Sequence, residues 1–213
     1  MNRYIKIGIL SGILLVPLLV FLFIKIFGKN HYKVPIYYPL DVINNGAVGD
    51  TVYHTISSYT LLTQDSAIFV NTPKGIKVAY FFFTRCPGIC PIMTSNLLQV
   101  QEAFMNSADV VLTGISVDAD YDRPAILKKY ANKYDMNSKM WYLLTGSADS
   151  IYHIGFDQYK LPADTADKTL HSEKIALLDH KNRIRGYYTG TDNVEIDRLI
   201  TEIKILQYEY INP

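Results

Sequence analysis

The sequence predicts an α/β protein in which a largely parallel central sheet carries helices on both faces and follows one N-terminal apolar helix. Three observations support this class. An uncharged apolar run occupies residues 7–24, strand-like and helix-like segments alternate from residue 76 onward, and two strand-like segments followed by a helix close the chain. Alternating strands and helices favour parallel strands whose connecting helices cover the faces of the sheet.

The composition of the 213-residue chain is that of an ordinary folded protein, because 49% of its residues are hydrophobic and 19% are charged. The formal net charge is +1, but it is unevenly distributed. Residues 1–33 hold five Lys or Arg and no acid, so the remainder carries 16 basic and 20 acidic residues. A mildly acidic body without a basic tract argues against a nucleic-acid partner.

The apolar run predicts a membrane anchor. As a helix, residues 7–24 would be about 27 Å long, close to the hydrocarbon thickness of a bilayer. The run exceeds the apolar region of a typical cleaved signal peptide, and no small-residue cleavage site follows it. We therefore predict an anchor over residues 1–28, a linker over 29–50 and one domain over 51–213. Basic residues flank both ends of the run, so charge alone does not orient it.

The domain begins with residues 54–70, which read as an N-terminal β-hairpin extension. The order of the later elements, ending in an antiparallel hairpin and a helix, is typical of a thioredoxin-like sheet. Periodicity and turn residues predict the following elements: strand 76–84, helix 92–106, strand 110–117, helix 125–134, strand 141–144, helix 148–154, loop 157–169, strands 174–179 and 184–188, and a helix from 192 to about 210.

The two cysteines, Cys86 and Cys90, are the most informative residues. They lie between a buried strand and a helix, where free backbone N–H groups favour thiolate over thiol. A spacing of four residues puts both sulfurs on one side of a helical turn. Two such thiolates can form a redox-active disulfide or bind a soft metal such as Cu(I). A structural zinc site is disfavoured, since it usually needs four ligands and the chain has one cysteine pair.

The segment FFFTRCPGICP at residues 81–91 resembles the metal-binding loop of the Sco/SenC proteins, a family of thioredoxin-like copper chaperones for cytochrome c oxidase. The resemblance extends over about residues 50–210. Three further segments carry it: TGISVDADYDRPAILKKYA at 113–131, WYLLTG at 141–146, and His171-Ser172 ahead of KIALLDHKNRIRGYY at 174–188.

The resemblance implies that Cys86, Cys90 and His171 bind copper as Cu(I), in a site that can also hold Cu(II). It further implies a bacterial inner-membrane protein whose domain faces the periplasm or exterior. Its partners would be the copper-accepting oxidase subunit, for assembly of the dinuclear copper centre, and a thiol reductase. Two residues depart from the family pattern: many members have Asp at the position of Gly88, and Asp is common where this chain has Leu170.

Other functions remain open at this point. An extracytoplasmic thiol–disulfide oxidoreductase acting on a partner's cysteines needs the same two thiols, although thioredoxins separate theirs by two residues and this chain by three. A redox or copper sensor is a third alternative. We expect a metallochaperone rather than an enzyme.

Two further predictions concern residues near this segment. Asp118, Asp120 and Asp122 read as a turn followed by a helix cap at Asp122. His180 opens a polar turn at the far end of the strand that follows His171, so the two histidines cannot reach one metal ion.

Overall fold

The computed structural model describes residues 3–27, 33–43, 50–161 and 172–211. It divides into two compact units, residues 1–32 and 33–213. The first contains helix α1 (Arg3–Phe27), which includes Pro17. Within the described stretches, no helix meets the length and hydropathy criteria for a membrane span.

The second unit contains nine strands and four helices in its described residues. In chain order they are β1 (Pro39–Ile43), β2 (Asp50–Tyr53), β3 (Thr60–Thr63), β4 (Ile68–Val70), β5 (Ile76–Phe82), α2 (Ile89–Phe104), β6 (Val110–Ser116), α3 (Pro124–Lys133), β7 (Trp141–Thr145), α4 (Ala148–His153) with a π-helical segment (Ile154–Gln158), β8 (Lys174–Leu178), β9 (Ile184–Thr189) and α5 (Asn193–Ile211).

The segment predicted as a linker contains strand β1, which pairs antiparallel with β2 in a separate two-stranded sheet. Strands β3 and β4 pair antiparallel within residues 54–70 and extend the main sheet beyond β7. Of the loop predicted at 157–169, residues 157 and 158 are π-helical, and residues 162–169 lie outside the described part of the chain.

The main sheet has seven described strands in the order β4-β3-β7-β6-β5-β8-β9. The prediction of a largely parallel sheet is wrong. Only the β5–β6 and β6–β7 pairs are parallel, because only these three strands are joined by helical crossovers. The remaining pairs, β3–β4, β3–β7, β5–β8 and β8–β9, are antiparallel and make the sheet mixed.

Strand β5 lies centrally in the sheet, and all seven of its residues are buried. Because side chains alternate between faces, Tyr80 and Phe82 join the core formed with α2, α3 and α5. Ala79 and Phe81 join the opposite core, against α4 and the π-helical segment. Helices therefore cover both faces, and the carboxyl end of β5 is the fixed point from which the cysteine segment starts.

Candidate metal and thiol site

The two cysteines lie where β5 ends and α2 begins. Both are free and buried, with 7% of Cys86 and 3% of Cys90 exposed. The helix starts at Ile89, three residues earlier than its apolar periodicity predicts, so Cys90 belongs to its first turn. Cys86 stands just before that turn, and the two side chains belong to the same core cluster.

The sulfur of Cys86 accepts a hydrogen bond at the start of α2. Gly88 occupies the N-cap position and has no side chain that could bind the free N–H groups of the first turn. The N–H of Cys90 instead donates to Sγ of Cys86 across 3.5 Å. The thiol thus takes the place of a conventional capping side chain, in a position that favours negative charge.

The two thiols differ in acidity. Burial opposes ionisation of Cys86, but hydrogen bonds from the Cys90 thiol and from the backbone N–H groups of residues 88–90 outweigh it and lower its pKa below the ordinary value. Burial, together with the hydrogen bond to Cys86, raises the pKa of Cys90 to about 12. The arrangement therefore contains one thiol that is more acidic than an ordinary cysteine and one that holds its proton more tightly.

The acidic segment after β6 holds the residues that precede Cys86. Asp118 accepts from Arg85, with Nη2 at 2.7 Å, and the Arg85 guanidinium lies 3.9 Å from the centre of the Tyr121 ring. Asp122 is fully buried and accepts from the N–H of Thr84 at 2.9 Å.

The prediction that Asp122 caps α3 is wrong. Arg123 occupies the N-cap position and Pro124 follows it, because the carboxylate of Asp122 points to Thr84 and Ser116 instead. Sequence reasoning identified the turn, since the N–H groups of Tyr121 and Asp122 both donate to the Asp118 carbonyl. Sequence reasoning did not predict that Asp118 and Asp122 bond to the residues before Cys86. The closely spaced acids that follow the buried strand at 110–117 were the sequence feature that could have indicated it.

The predicted ligand His171 lies outside the described residues. The next described residue, Ser172, is buried and accepts a hydrogen bond from the N–H of Lys174 through Oγ. Strand β8 runs antiparallel to β5 with Ile175 opposite Tyr80, so the start of β8 lies beside the carboxyl end of β5.

His180 lies at the other end of β8, where Leu178 is opposite Lys77 at the amino end of β5. Its ring centroid is 4.6 Å from that of Tyr210, and burial lowers the pKa of its imidazole. The structure therefore separates His180 from the cysteines by the length of the sheet.

The two thiols are thus the soft metal-binding groups that the described residues place at this site. Among the described residues, no three His, Cys, Asp or Glu side chains converge on a common point. Two sulfur ligands on one helical turn suit a soft, low-coordinate ion such as Cu(I) and suit Mg²⁺ or Ca²⁺ poorly.

Comparison with known proteins connects this geometry to a family. Residues 49–206 match the family model described as SCO1/SenC. A SCO1 protein homolog of Bacillus subtilis (strain 168) is 27% identical over 164 residues, covering 74% of this chain and 85% of that protein.

Solved structures are similar over the same region. BsSco, a member of the Sco family of cytochrome c oxidase assembly proteins in which a disulfide switch was identified, is 27% identical with a TM-score of 0.63, covering 72% of this chain and 93% of that chain. Arabidopsis thaliana ScoI with copper bound is 23% identical with a TM-score of 0.57, covering 70% of this chain and 97% of that chain. The similarity to the latter concerns the fold.

Proposed function

The chain belongs to the SCO1/SenC family, and we propose that it is a membrane-anchored copper chaperone for assembly of the dinuclear copper centre of a cytochrome c oxidase. Copper is its cargo. The proposal extends to this chain the copper binding of ScoI and the oxidase-assembly role of the Sco family. The copper-accepting oxidase subunit is the partner, and a thiol reductase would keep the two cysteines reduced.

One observation carries the proposal: Cys86 and Cys90 are both free, buried and in mutual hydrogen-bond contact at the start of α2. Copper binding requires both thiolates, so the ion must displace the proton that Cys90 holds. Displacement is favourable because Cu(I) is soft and bonds strongly to sulfur. The backbone N–H groups around Cys86 already stabilise negative charge at this point.

We assign His171 as the third ligand. Its sequence neighbour Ser172 is the first described residue before β8, and the β5–β8 register supports a position near the end of β5. Two thiolates and one imidazole would leave copper three-coordinate, which is open enough for transfer to an acceptor. The Leu170 side chain offers no hydrogen bond to orient the imidazole, unlike the Asp common in the family.

Residues 7–24 would anchor the protein in the bacterial inner membrane, with the domain in the periplasm or exterior. The length and apolarity of that run support the membrane anchor. Protease added to intact spheroplasts should digest the domain, and detergent should not be needed. Complete protection until detergent is added would reverse the orientation.

The asymmetry of the two thiols favours a second candidate, a thiol–disulfide oxidoreductase. An acidic thiol at Cys86 is suited to attack a partner's disulfide, which forms a mixed disulfide and releases one partner thiolate. Cys90 then gives up its proton and attacks the sulfur of Cys86, which forms the Cys86–Cys90 disulfide and releases the partner's second thiol. This activity could prepare the cysteines of a copper acceptor without carrying the metal.

The two functions separate in one experiment. The reduced full-length protein is titrated with Cu(I) against a competing chelator, and its rate of insulin disulfide reduction is measured in the same preparation. The chaperone proposal expects one copper per chain with a dissociation constant far below about 1 µM and negligible turnover. Weak copper binding with rapid turnover would support the oxidoreductase instead.

A further inference from the structure

The turn that presents Cys86 is held at both of its central residues. The N–H of Cys86 donates to the carbonyl of Phe83 at 3.2 Å, so Thr84 and Arg85 are the central residues of a β-turn. Each is bonded to a different carboxylate of the segment after β6: Thr84 to Asp122 and Arg85 to Asp118.

The two attachments differ in burial. The Arg85–Asp118 pair is open to solvent, with 57% and 24% of the side chains exposed, so it adds little stability. Asp122 is fully buried and receives three hydrogen bonds, from the N–H and hydroxyl of Thr84 and from the hydroxyl of Ser116 at 2.5 Å. Burying a carboxylate is costly unless such bonds satisfy it, so the positions of the three donors are tightly constrained.

We propose that Asp122 is a positioning residue for Cys86. Strand β5 ends at Phe82, opposite Ser116 on β6. The N–H of Thr84 lies beyond this last pair and takes no part in the hydrogen bonds between β5 and β6. Asp122 supplies the acceptor that this N–H lacks and joins it to the end of β6. The turn is thereby fixed so that Sγ of Cys86 meets the N–H of Cys90. The inference rests on the proposed role of Cys86 as the reacting thiol and applies equally to copper binding and disulfide exchange.

If Asp122 acted on Cys86 through its charge, removing it would have the opposite effect on the reactivity of Cys86. A buried negative charge close to Cys86 disfavours a second negative charge on the thiol. If charge were the dominant effect of Asp122, its removal would make Cys86 more reactive. If its hydrogen bonds hold the turn, removal of those bonds makes Cys86 less reactive, since the sulfur loses its contacts with the helix N-terminus.

The test measures alkylation of Cys86 by iodoacetamide at pH 7 in the reduced, metal-free, full-length protein, with mass spectrometry to distinguish it from Cys90. Asp122→Asn keeps one oxygen that accepts from the Thr84 N–H and the Ser116 hydroxyl, and the Thr84 hydroxyl can rotate to accept from the new amide NH2. We expect its rate to stay within about twofold of the native rate, and that of Asp122→Ala to fall about tenfold. Faster alkylation in both variants, or an unchanged rate in Asp122→Ala, would overturn the proposal.

Gentler variants keep the test decisive if Asp122→Ala does not fold. Thr84→Val removes one hydroxyl bond to Asp122 and leaves the N–H bond, and we expect alkylation to slow about threefold. Asp118→Asn is the matched control, because it alters the exposed attachment of the same turn, and its rate should be native. A native rate in Thr84→Val would contradict the proposal. Copper titration of the unmodified protein tests the proposed function separately, because the alkylation assay contains no metal.

Discussion

The two ends of the β5–β8 strand pair use buried polar groups for different purposes. At the carboxyl end of β5, one buried carboxylate accepts hydrogen bonds from the neutral donors of Thr84 and Ser116, and two buried thiols lie nearby. At the amino end, buried charges are paired with one another: Asp179 bonds to Arg183 at 2.8 Å and to Arg185 at 3.3 Å.

The amino-end network ties distant parts of the chain together. Arg185 also donates to the carbonyl of Pro35 at 2.9 Å and to Glu209 of α5 at 2.8 Å. Lys77 donates to the carbonyl of Thr72 and to Asn182, each at 2.6 Å. Perturbed acidity is found at both ends, so it does not by itself mark a functional site. What distinguishes the thiol end is a nucleophilic group, the Cys86 thiol, whose negative form is stabilised by backbone N–H groups at the start of a helix.

Removing either thiol should have the largest effect at the carboxyl end. Cys86→Ala or Cys90→Ala should abolish stoichiometric Cu(I) binding, because each removes one of three proposed ligands. The free energy of unfolding should fall by only about 1 kcal/mol, since little core volume is lost. Chelator competition and urea unfolding measure the two quantities, with Ser95→Ala on the same helix as the control. One tightly bound copper in a single-cysteine variant would disprove the two-sulfur site.

Breaking the amino-end network should affect stability alone. Arg185→Met leaves Asp179 and Glu209 without one of their partners and should lower the free energy of unfolding by about 3–5 kcal/mol. Copper affinity of the folded protein should not change. A parallel loss of copper affinity would show that the amino-end network and the thiol site are coupled.

The two histidines that bracket β8 test the same contrast on one strand. His171→Ala should weaken copper binding at least about tenfold and abolish oxidase assembly in cells, because it removes the third proposed ligand. His180→Ala should be nearly silent, because that residue lies at the amino end of β5. Native copper affinity and oxidase assembly in His171→Ala would require another third ligand.

Lys77, at the amino end of β5, should make the free energy of unfolding depend on pH. Burial lowers the pKa of its amine from 10.5 to about 8, so between these values the unfolded chain binds more protons than the folded one. Stability from this group therefore rises as the pH increases from 8 towards 10.5. Urea unfolding at pH 7.5 and pH 10 should show the native protein gaining about 1–2 kcal/mol relative to Lys77→Met. A constant difference between the two proteins would mean that the amine titrates normally.

The smallest effect is expected at Gly88. A Cβ built there meets no atom within 4 Å, so there is room for a side chain. Gly88→Asp supplies a better N-cap and should stabilise the protein by a few tenths of a kcal/mol. Its carboxylate would also compete with Cys86 for the helix N–H groups and slow alkylation of Cys86 a few-fold. Gly88→Asn is the control, since it caps without charge; equal rates in both variants would exclude an effect of charge.

Local patterns predicted most of the elements near the site. The apolar run after residue 76 became β5, and the spacing of Met93, Leu97, Val100 and Phe104 became the buried face of α2. The family resemblance, carried by the cysteine segment and three later segments, is confirmed by the match over residues 49–206. Strand direction was not predictable in the same way, because hydrophobic periodicity reports burial and does not report which neighbour a strand pairs with.

The sequence by itself determined which atoms carry the chemistry: two cysteines four apart, at a strand end and ahead of a helix. Only the tertiary structure decided how those atoms differ. It made the Cys86 thiol an acceptor for the first turn of α2, buried Asp122 against Thr84 and Ser116, and placed His180 at the opposite end of the sheet. The reason is physical: the orientation of the turn before Cys86 depends on Asp122, 38 residues from Thr84 in sequence, and the two come into contact only once the sheet has formed.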